Sequence, residues 1–276
     1  MYKYLLAFLL IALPVFAGIS YTSPTSNKSF FVEVEKGNVP GHRVVHILAH
    51  NPVVSTTMQD IWHVGGTKTQ LQSAVTLEAI SSDADDDAAG TGAQIITLNC
   101  LDSSWNEISQ DLTMNGLTVT AATGTACIRF QSAEVKEVGT YGGSNVGIIT
   151  IRVSSAGATL GAIGIDMAAP NGRTFGSHFT IPGGKTGFVL GYEIVVEANK
   201  NASVNFAKLE AVDDVTTPFS PVIKLSIDDG INGPNGHHPV SIQPGLPEKT
   251  DIWFRAILPS GTGGVTVNYE VLLIDN

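Results

Sequence analysis

Four aspartates fall within five residues, Asp83, Asp85, Asp86 and Asp87, directly before the small-residue run AAGTGA. Clustered carboxylates repel one another and a divalent cation relieves that repulsion, so the first chemistry to weigh is calcium binding. An EF-hand loop opening at Asp83 would put oxygen ligands at its first, third and fifth positions, which are Asp83, Asp85 and Asp87. The same loop needs Gly next and Glu at its end, where this chain has Ala88 and Gln94. The block is therefore not an EF-hand. Asp83, Asp85 and Asp87 remain a non-EF calcium candidate, set against a solvated acidic turn that enters a strand. AAGTGA lacks the GK[ST] of a phosphate loop and the spacing of a dinucleotide fingerprint. Its glycines suit a turn.

His42, His46 and His50 recur every four residues and share one face of a helix or strand. RVVHIL between them favours strand. At about 3.3 Å per residue, neighbouring imidazoles then lie roughly 13 Å apart, too far for one metal ion. His237-His238 sit in a Gly/Pro-rich loop, where they face solvent, a ligand or a partner. Asp213-Asp214 and Asp228-Asp229 are adjacent pairs at strand ends. Glycosidases use two carboxylates across a cleft, whereas adjacent aspartates at turns need no function. Trp62, Trp105 and Trp253 could stack on a sugar, but burial in the core is the expectation. No GxSxG elbow, HExxH pair or catalytic cysteine motif occurs. The chain is expected not to be an enzyme, with no cofactor beyond the calcium candidate.

Two cysteines, Cys100 and Cys127, lie in the strand-like runs IITLNCLD and TACIRFQSA. They form no CxxC pair, so a zinc site is unsupported. A disulfide between neighbouring strands and two buried free thiols both fit.

The elements around these residues are β-type. Charged residues make up 14% of the 276, below the ~25% of an average domain, and 29 glycines and 13 prolines punctuate the chain. Alternating runs bounded by Gly, Asn, Asp and Ser recur at short spacing, as in AVTLEAIS and AQIITLNCLD. No amphipathic helix of ten residues or more is evident. The net charge of −10 would repel a polyanion, and the 15 basic residues form no cluster, so nucleic acid is not an expected partner.

Residues 1–17 combine Lys3, an apolar run from Leu5 to Ala17, and small Val15 and Ala17 where a signal peptidase would read them. That is signal-peptide grammar, with an N-terminal anchor as the alternative. The run is shorter than the ~20 residues of a membrane-spanning helix. Beyond it the reading is a flexible polar stretch over 18–27, a β-sandwich module over 28–158, a linker over 159–169 and a C-terminal antiparallel β module over 170–276. The expected fold is all-β, with two antiparallel β-sandwich or jelly-roll-like modules. SFFVEVE is expected to be a strand joined to the next by the GNVPG turn.

Several stretches together resemble an uncharacterised family of virion structural proteins of marine tailed phages and large algal DNA viruses. They are GHRVVHILAHNPVV with DIWHVGG, the block ISSDADDDAAGTGAQIITLNCLDSSWNEISQDLTMNG, FTIPGGKTGFVLGYEIVVEANK, and LPEKTDIWFRAIL with VNYEVLLID. They span most of residues 38–276. The resemblance implies a capsid- or fibre-associated protein located in the virion and partnered by other virion proteins or by itself as a homo-oligomer. It brings no catalytic residues. The leader supports a second reading, a secreted or cell-surface adhesin or carbohydrate-binding module with a glycan as partner. A secreted β-sandwich hydrolase is a third, and it would need a cleft with facing carboxylates. The sequons at Asn27 and Asn201 matter only in a eukaryotic producer.

Overall fold

The computed structural model describes residues 29–166, 169–209, 223–239 and 245–276. The leader and the polar stretch expected over 1–27 lie outside the described residues, as does the Asp213-Asp214 pair. Helix α1 (Phe30–Glu35) precedes β1 (His42–Val54) and β2 (Gln59–Asp60). Then come β3 (Leu77–Ser81), β4 (Ala93–Leu101), β5 (Glu107–Thr113), β6 (Arg129–Val138), β7 (Ile149–Val153), β8 (Thr159–Asp166) and β9 (Ala169–Thr174). The chain ends with β10 (Phe179–Thr180), β11 (Lys185–Val196), β12 (Ala202–Leu209), β13 (Ile223–Ile231), β14 (Pro234–Pro239), β15 (Asp251–Ile257) and β16 (Gly263–Asp275). The fold is all-β and its strand pairs are antiparallel, as the alternating runs predict. Among the described residues no helix is long and apolar enough to cross a membrane.

Two sheets form a sandwich. One has the order β1-β16-β11-β14; the other has β10-β15-β12-β13, with β2 added beside β15. Strand β16 shows why the sequence chooses this arrangement. Val265, Val267, Tyr269, Val271 and Leu273 alternate inward and are all but fully buried, while Asn268 between them is exposed. A one-residue slip would turn all five to water. They meet Val204, Phe206, Ile252 and Phe254 of the opposite sheet in one core. At its centre Phe206 stacks on Phe254 with ring centroids 4.4 Å apart. Burying each such aromatic contributes on the order of 2 kcal/mol.

The remaining strands make a nearly closed barrel-like sheet, β3-β7-β8-β9-β6-β4-β5, around a second core. Residues 114–127 close the gap between its ends. Leu77 and Ala79 of β3 donate their N–H groups to the hydroxyls of Thr123 and Thr120, each at 3.0 Å. The N–H groups of those threonines donate back to the carbonyls of Leu77 and Ala79. Threonine hydroxyls thus occupy acceptor positions that a strand's carbonyls would otherwise fill, and the β3 edge is covered. Asn115-Gly116 starts this cover, with Gly116 in the left-handed region at φ +57°, and does not join two strands as a hairpin.

Hydrogen bonding divides the chain differently from the expected boundaries. β1, expected in the first module, pairs along its length with β16 of the last. Residues 159–169, expected as a linker, carry β8 and the start of β9 in the barrel-like sheet. The barrel is thus an insertion between β2 and β10 of the sandwich. SFFVEVE also departs from expectation: Phe30–Glu35 form a six-residue helix. Alternation over six residues makes a strand only where a neighbour supplies a ladder. The free edge of β1 faces the barrel instead, across a cleft of about 320 Å³ lined by Arg43, Val45, Asn99, Gln131 and Ser132.

Candidate functional site

The acidic block lies between β3 and β4, and its four carboxylates do different work. Asp83 accepts the N–H of Asp85, and Asp87 that of Ala89, both bonds within tight local turns. The Asp85 side chain is exposed. Among the described residues no group of three His, Cys, Asp or Glu side chains is gathered as a metal site. Asp86 is the organising residue. Its fully buried carboxylate accepts the Ser81 hydroxyl at 2.6 Å and the N–H groups of Ala93, Val146 and Gly147, each at 2.8 Å. It ties the β3 end, the β4 start and the approach to β7 into one knot. A Cβ on Gly90 would collide with the Asp85 carbonyl, and one on Gly92 with the Asp86 carboxylate. These glycines serve close approach rather than an unusual φ.

Cys100 and Cys127 form a disulfide inside the barrel, with Cα atoms 5.8 Å apart and both residues buried. It joins β4 to the end of the 114–127 cover. Replacing both cysteines by alanine is expected to lower folding stability by about 3 to 4 kcal/mol, from the loop that the bond closes in the unfolded chain. A urea unfolding curve on native and variant protein measures this; a loss below about 1 kcal/mol would contradict it.

The three spaced histidines have separate partners along β1, as their strand spacing requires. His42 contacts the Pro40 carbonyl, His46 contacts Glu35 and Glu270, and His50 contacts Thr266. His237-His238 lie in β14, whose side chains are outside the described residues. Asp228 accepts the Tyr192 hydroxyl at 3.1 Å.

The densest group of ionisable side chains lies at the seam between barrel and sandwich. Arg129 opens β6 of the barrel and Asp251 opens β15 of the sandwich. Both are about 1% exposed, and they pair through two nitrogens, each 3.0 Å from a carboxylate oxygen. The third Arg129 nitrogen donates to the carbonyls of Leu71 and Ile128 at 2.9 Å. The Thr180 hydroxyl donates to Asp251 at 2.5 Å. The guanidinium lies 5.0 Å from the centre of the Trp105 ring. Trp105 itself is left-handed at φ +66°, a strain of about 1 to 3 kcal/mol for a bulky residue. Asp102 holds that turn by accepting the N–H groups of Ser104 and Asn106, and the Trp105 carbonyl accepts Gly183 N–H from the sandwich.

Beside this pair lies a second cluster. Asp60 of β2 stands 3.3 Å from His178 and 3.1 Å from Arg255, and it accepts Lys68 N–H at 2.8 Å. Burial pushes the Asp60 carboxyl up, but His178, the Lys68 N–H and Arg255 together overcome it and hold it below the ordinary carboxylate value. Burial pushes His178 down and the Lys68 cation pushes it further the same way, while Asp60 and Asp251 offset this only in part. Burial brings the Lys68 ammonium down to about 8 against the pull of Asp251 and Asp60. The His178 ring stacks on Trp253 at 5.7 Å, with planes 7° apart. Trp62, Trp105 and Trp253 are buried as expected, and all three pack along this seam.

The seam arrangement can act chemically as a lock. Its carboxylates are engaged by cations, and the cavities beside it are small. One of about 10 Å³ is bounded by Trp62, Lys68, Thr174 and His178, and one of about 80 Å³ by Ile47, Gln131, Arg173 and His178. A larger groove, about 560 Å³, lies elsewhere, between α1 and the outer face of the β1 sheet. The sequence reading missed Arg129, Asp251, Asp60, Lys68, His178 and the distinct role of Asp86. A usable signal existed for two of them: Arg129 and Asp251 are single charges set at or inside apolar strand runs, TACIRF and TDIWF. A charge in such a run is buried with a partner or not at all.

No family model matches the chain, and no curated protein matches it. Among solved structures it is weakly similar to the infectious bursal disease virus Gx strain structure, at 10% identity and TM-score 0.22, covering 85% of this chain and 71% of that one. It is likewise similar to the VP2 subviral particle of infectious bursal disease virus, at 12% identity and TM-score 0.21, over 90% of this chain and 78% of that one. At such scores these similarities carry neither fold nor function to this chain.

Proposed function

We propose that the protein is a non-enzymatic structural component of a virion, on the capsid surface or associated with a fibre, acting through contacts with other virion proteins or with copies of itself. The observation that carries this reading is the acidic block of residues 80–116. It bears the most distinctive part of the resemblance to viral structural proteins, and here it is spent on architecture. Asp86 knots three segments, Gly90 and Gly92 permit their close approach, and Cys100 anchors the barrel cover. Two further features support it. The modules are joined through a buried ion pair rather than a loose linker. The apolar side chains Phe30, Phe31 and Val32 are each nearly half exposed beside the 560 Å³ groove, a surface suited to protein contact.

The test is mass spectrometry of purified virions from the source culture, reading this protein's abundance and N-terminal peptide. Stoichiometric presence is expected. A peptide beginning at Gly18 would add that the chain passed through a membrane. Absence from virions, with the processed chain in the medium or on the cell surface, would overturn the reading in favour of the adhesin or carbohydrate-binding module.

A further inference from the structure

Between barrel and sandwich the buried charges do not balance. Asp60 and Asp251 are the two anions of the seam. Arg129, Lys68 and the partly exposed Arg255 already supply three cations within it. His178 stands among them, 6% exposed. Its Nε2 is 3.3 Å from Asp60, while its buried Nδ1 has no hydrogen-bond partner among the described residues. A protonated His178 would make four cations against two anions in a space nearly closed to solvent, and its second N–H would be buried unpaired. The neutral ring, by contrast, stacks flat on Trp253.

The ring is nevertheless reachable. His178 borders both the cavity of about 10 Å³ and the adjoining one of about 80 Å³, which lies beneath the free edge of β1. The smaller is the size of one water molecule. His46 and Arg173 border the larger cavity and His63 the smaller one. With Asp60, Lys68, Arg129, Asp251 and Arg255 these are the charged or titratable groups facing the ring from β1, β2, β6, β9, β15 and the 61–74 connection. The chain passes between the modules at 61–74 and 175–178, and beyond the buried charges the seam is held by the Gly183 N–H bond to the Trp105 carbonyl and by the Gln131 side-chain amide, which exchanges hydrogen bonds with the Thr180 backbone.

We propose that His178 is a proton-operated latch between barrel and sandwich: the neutral imidazole holds the seam closed, and its protonation loosens it. The direction follows from linkage. The folded seam disfavours the charged ring, so below the ordinary histidine value of 6.5 the loosened chain binds a proton that the closed seam does not. The closed state therefore loses stability as pH falls from 6.5 toward the folded value. Asp60 acts in a separate window. Its carboxyl is held below 3.8, so its contribution is lost only under stronger acid.

The test is amide hydrogen exchange on the full chain from pH 8 to pH 5, corrected for intrinsic exchange, comparing native protein with His178→Phe, which keeps a ring against Trp253. In the native protein, seam peptides over 61–74, 128–131 and 177–181 are expected to lose protection below pH 6.5, by up to about tenfold per pH unit for one proton. The cores of the two modules should stay protected, and the variant should show no such pH dependence. A flat native profile, or an equal loss in the variant, overturns the proposal. If His178→Phe does not fold, NMR of native protein with labelled histidine rings decides. A His178 ring still neutral just below pH 6.5, titrating together with seam exchange, supports the latch. A ring already charged at pH 7 sinks it.

Discussion

Arg129→Met is expected to lower folding stability by about 3 to 5 kcal/mol, the cost of stranding one member of a buried ion pair. The residue is almost completely enclosed, so water cannot take over its role. Its loss leaves the Asp251 carboxylate with only the Thr180 hydroxyl of the bonds described above, and removes the donor from the carbonyls of Leu71 and Ile128. It also removes the cation from beneath Trp105, whose left-handed backbone is held from both modules. Arg129→Lys should recover little, because a single ammonium cannot reproduce two parallel bonds to Asp251 and two to carbonyls. The double variant Arg129→Met with Asp251→Leu is expected to regain part of the loss, since replacing a whole buried pair costs less than breaking it. Urea midpoints at constant slope measure all three. If Arg129→Met costs less than about 1 kcal/mol, the seam is not a lock.

Asp86→Ala carries the second large effect, a loss of about 4 kcal/mol or more. One hydroxyl and three backbone N–H groups donate to that carboxylate in a fully buried site. Each buried donor left without an acceptor costs roughly 1 to 3 kcal/mol. Asp86→Asn should also be damaging, because an amide turns one of the two acceptor oxygens into a donor facing other donors. Asp85→Ala, one residue away and exposed, should stay within about 0.5 kcal/mol of native. Equal effects at Asp85 and Asp86 would show that the block acts as a charge cluster and not through one buried knot.

The contrast between these two neighbours shows where the sequence stops being informative. Strand identity was legible, because alternation is a local property: VTVNYEVLLID cannot bury its apolar set except as a strand with one face inward. The three tryptophans and the strand spacing of His42, His46 and His50 were legible for the same kind of reason. In the acidic block, four aspartates of one type in five positions were indistinguishable. Which of them turns inward depends on Val146 and Gly147, about sixty residues away, coming within reach.

The module boundaries were hidden by the same non-locality. β1 reads as the start of the first module because that is where it stands in the chain, yet its ladder partner β16 is more than two hundred residues distant. By itself the sequence determined an acidic, all-β, antiparallel protein without a recognisable catalytic motif, since composition and period-two patterning act residue by residue. Tertiary structure alone decided that the barrel is inserted into the sandwich, that Cys100 and Cys127 are bonded, and that Arg129, Asp251, Asp60, Lys68 and His178 meet. A buried charge is tolerated only where distant segments deliver its partner, and no local pattern records which segments those are.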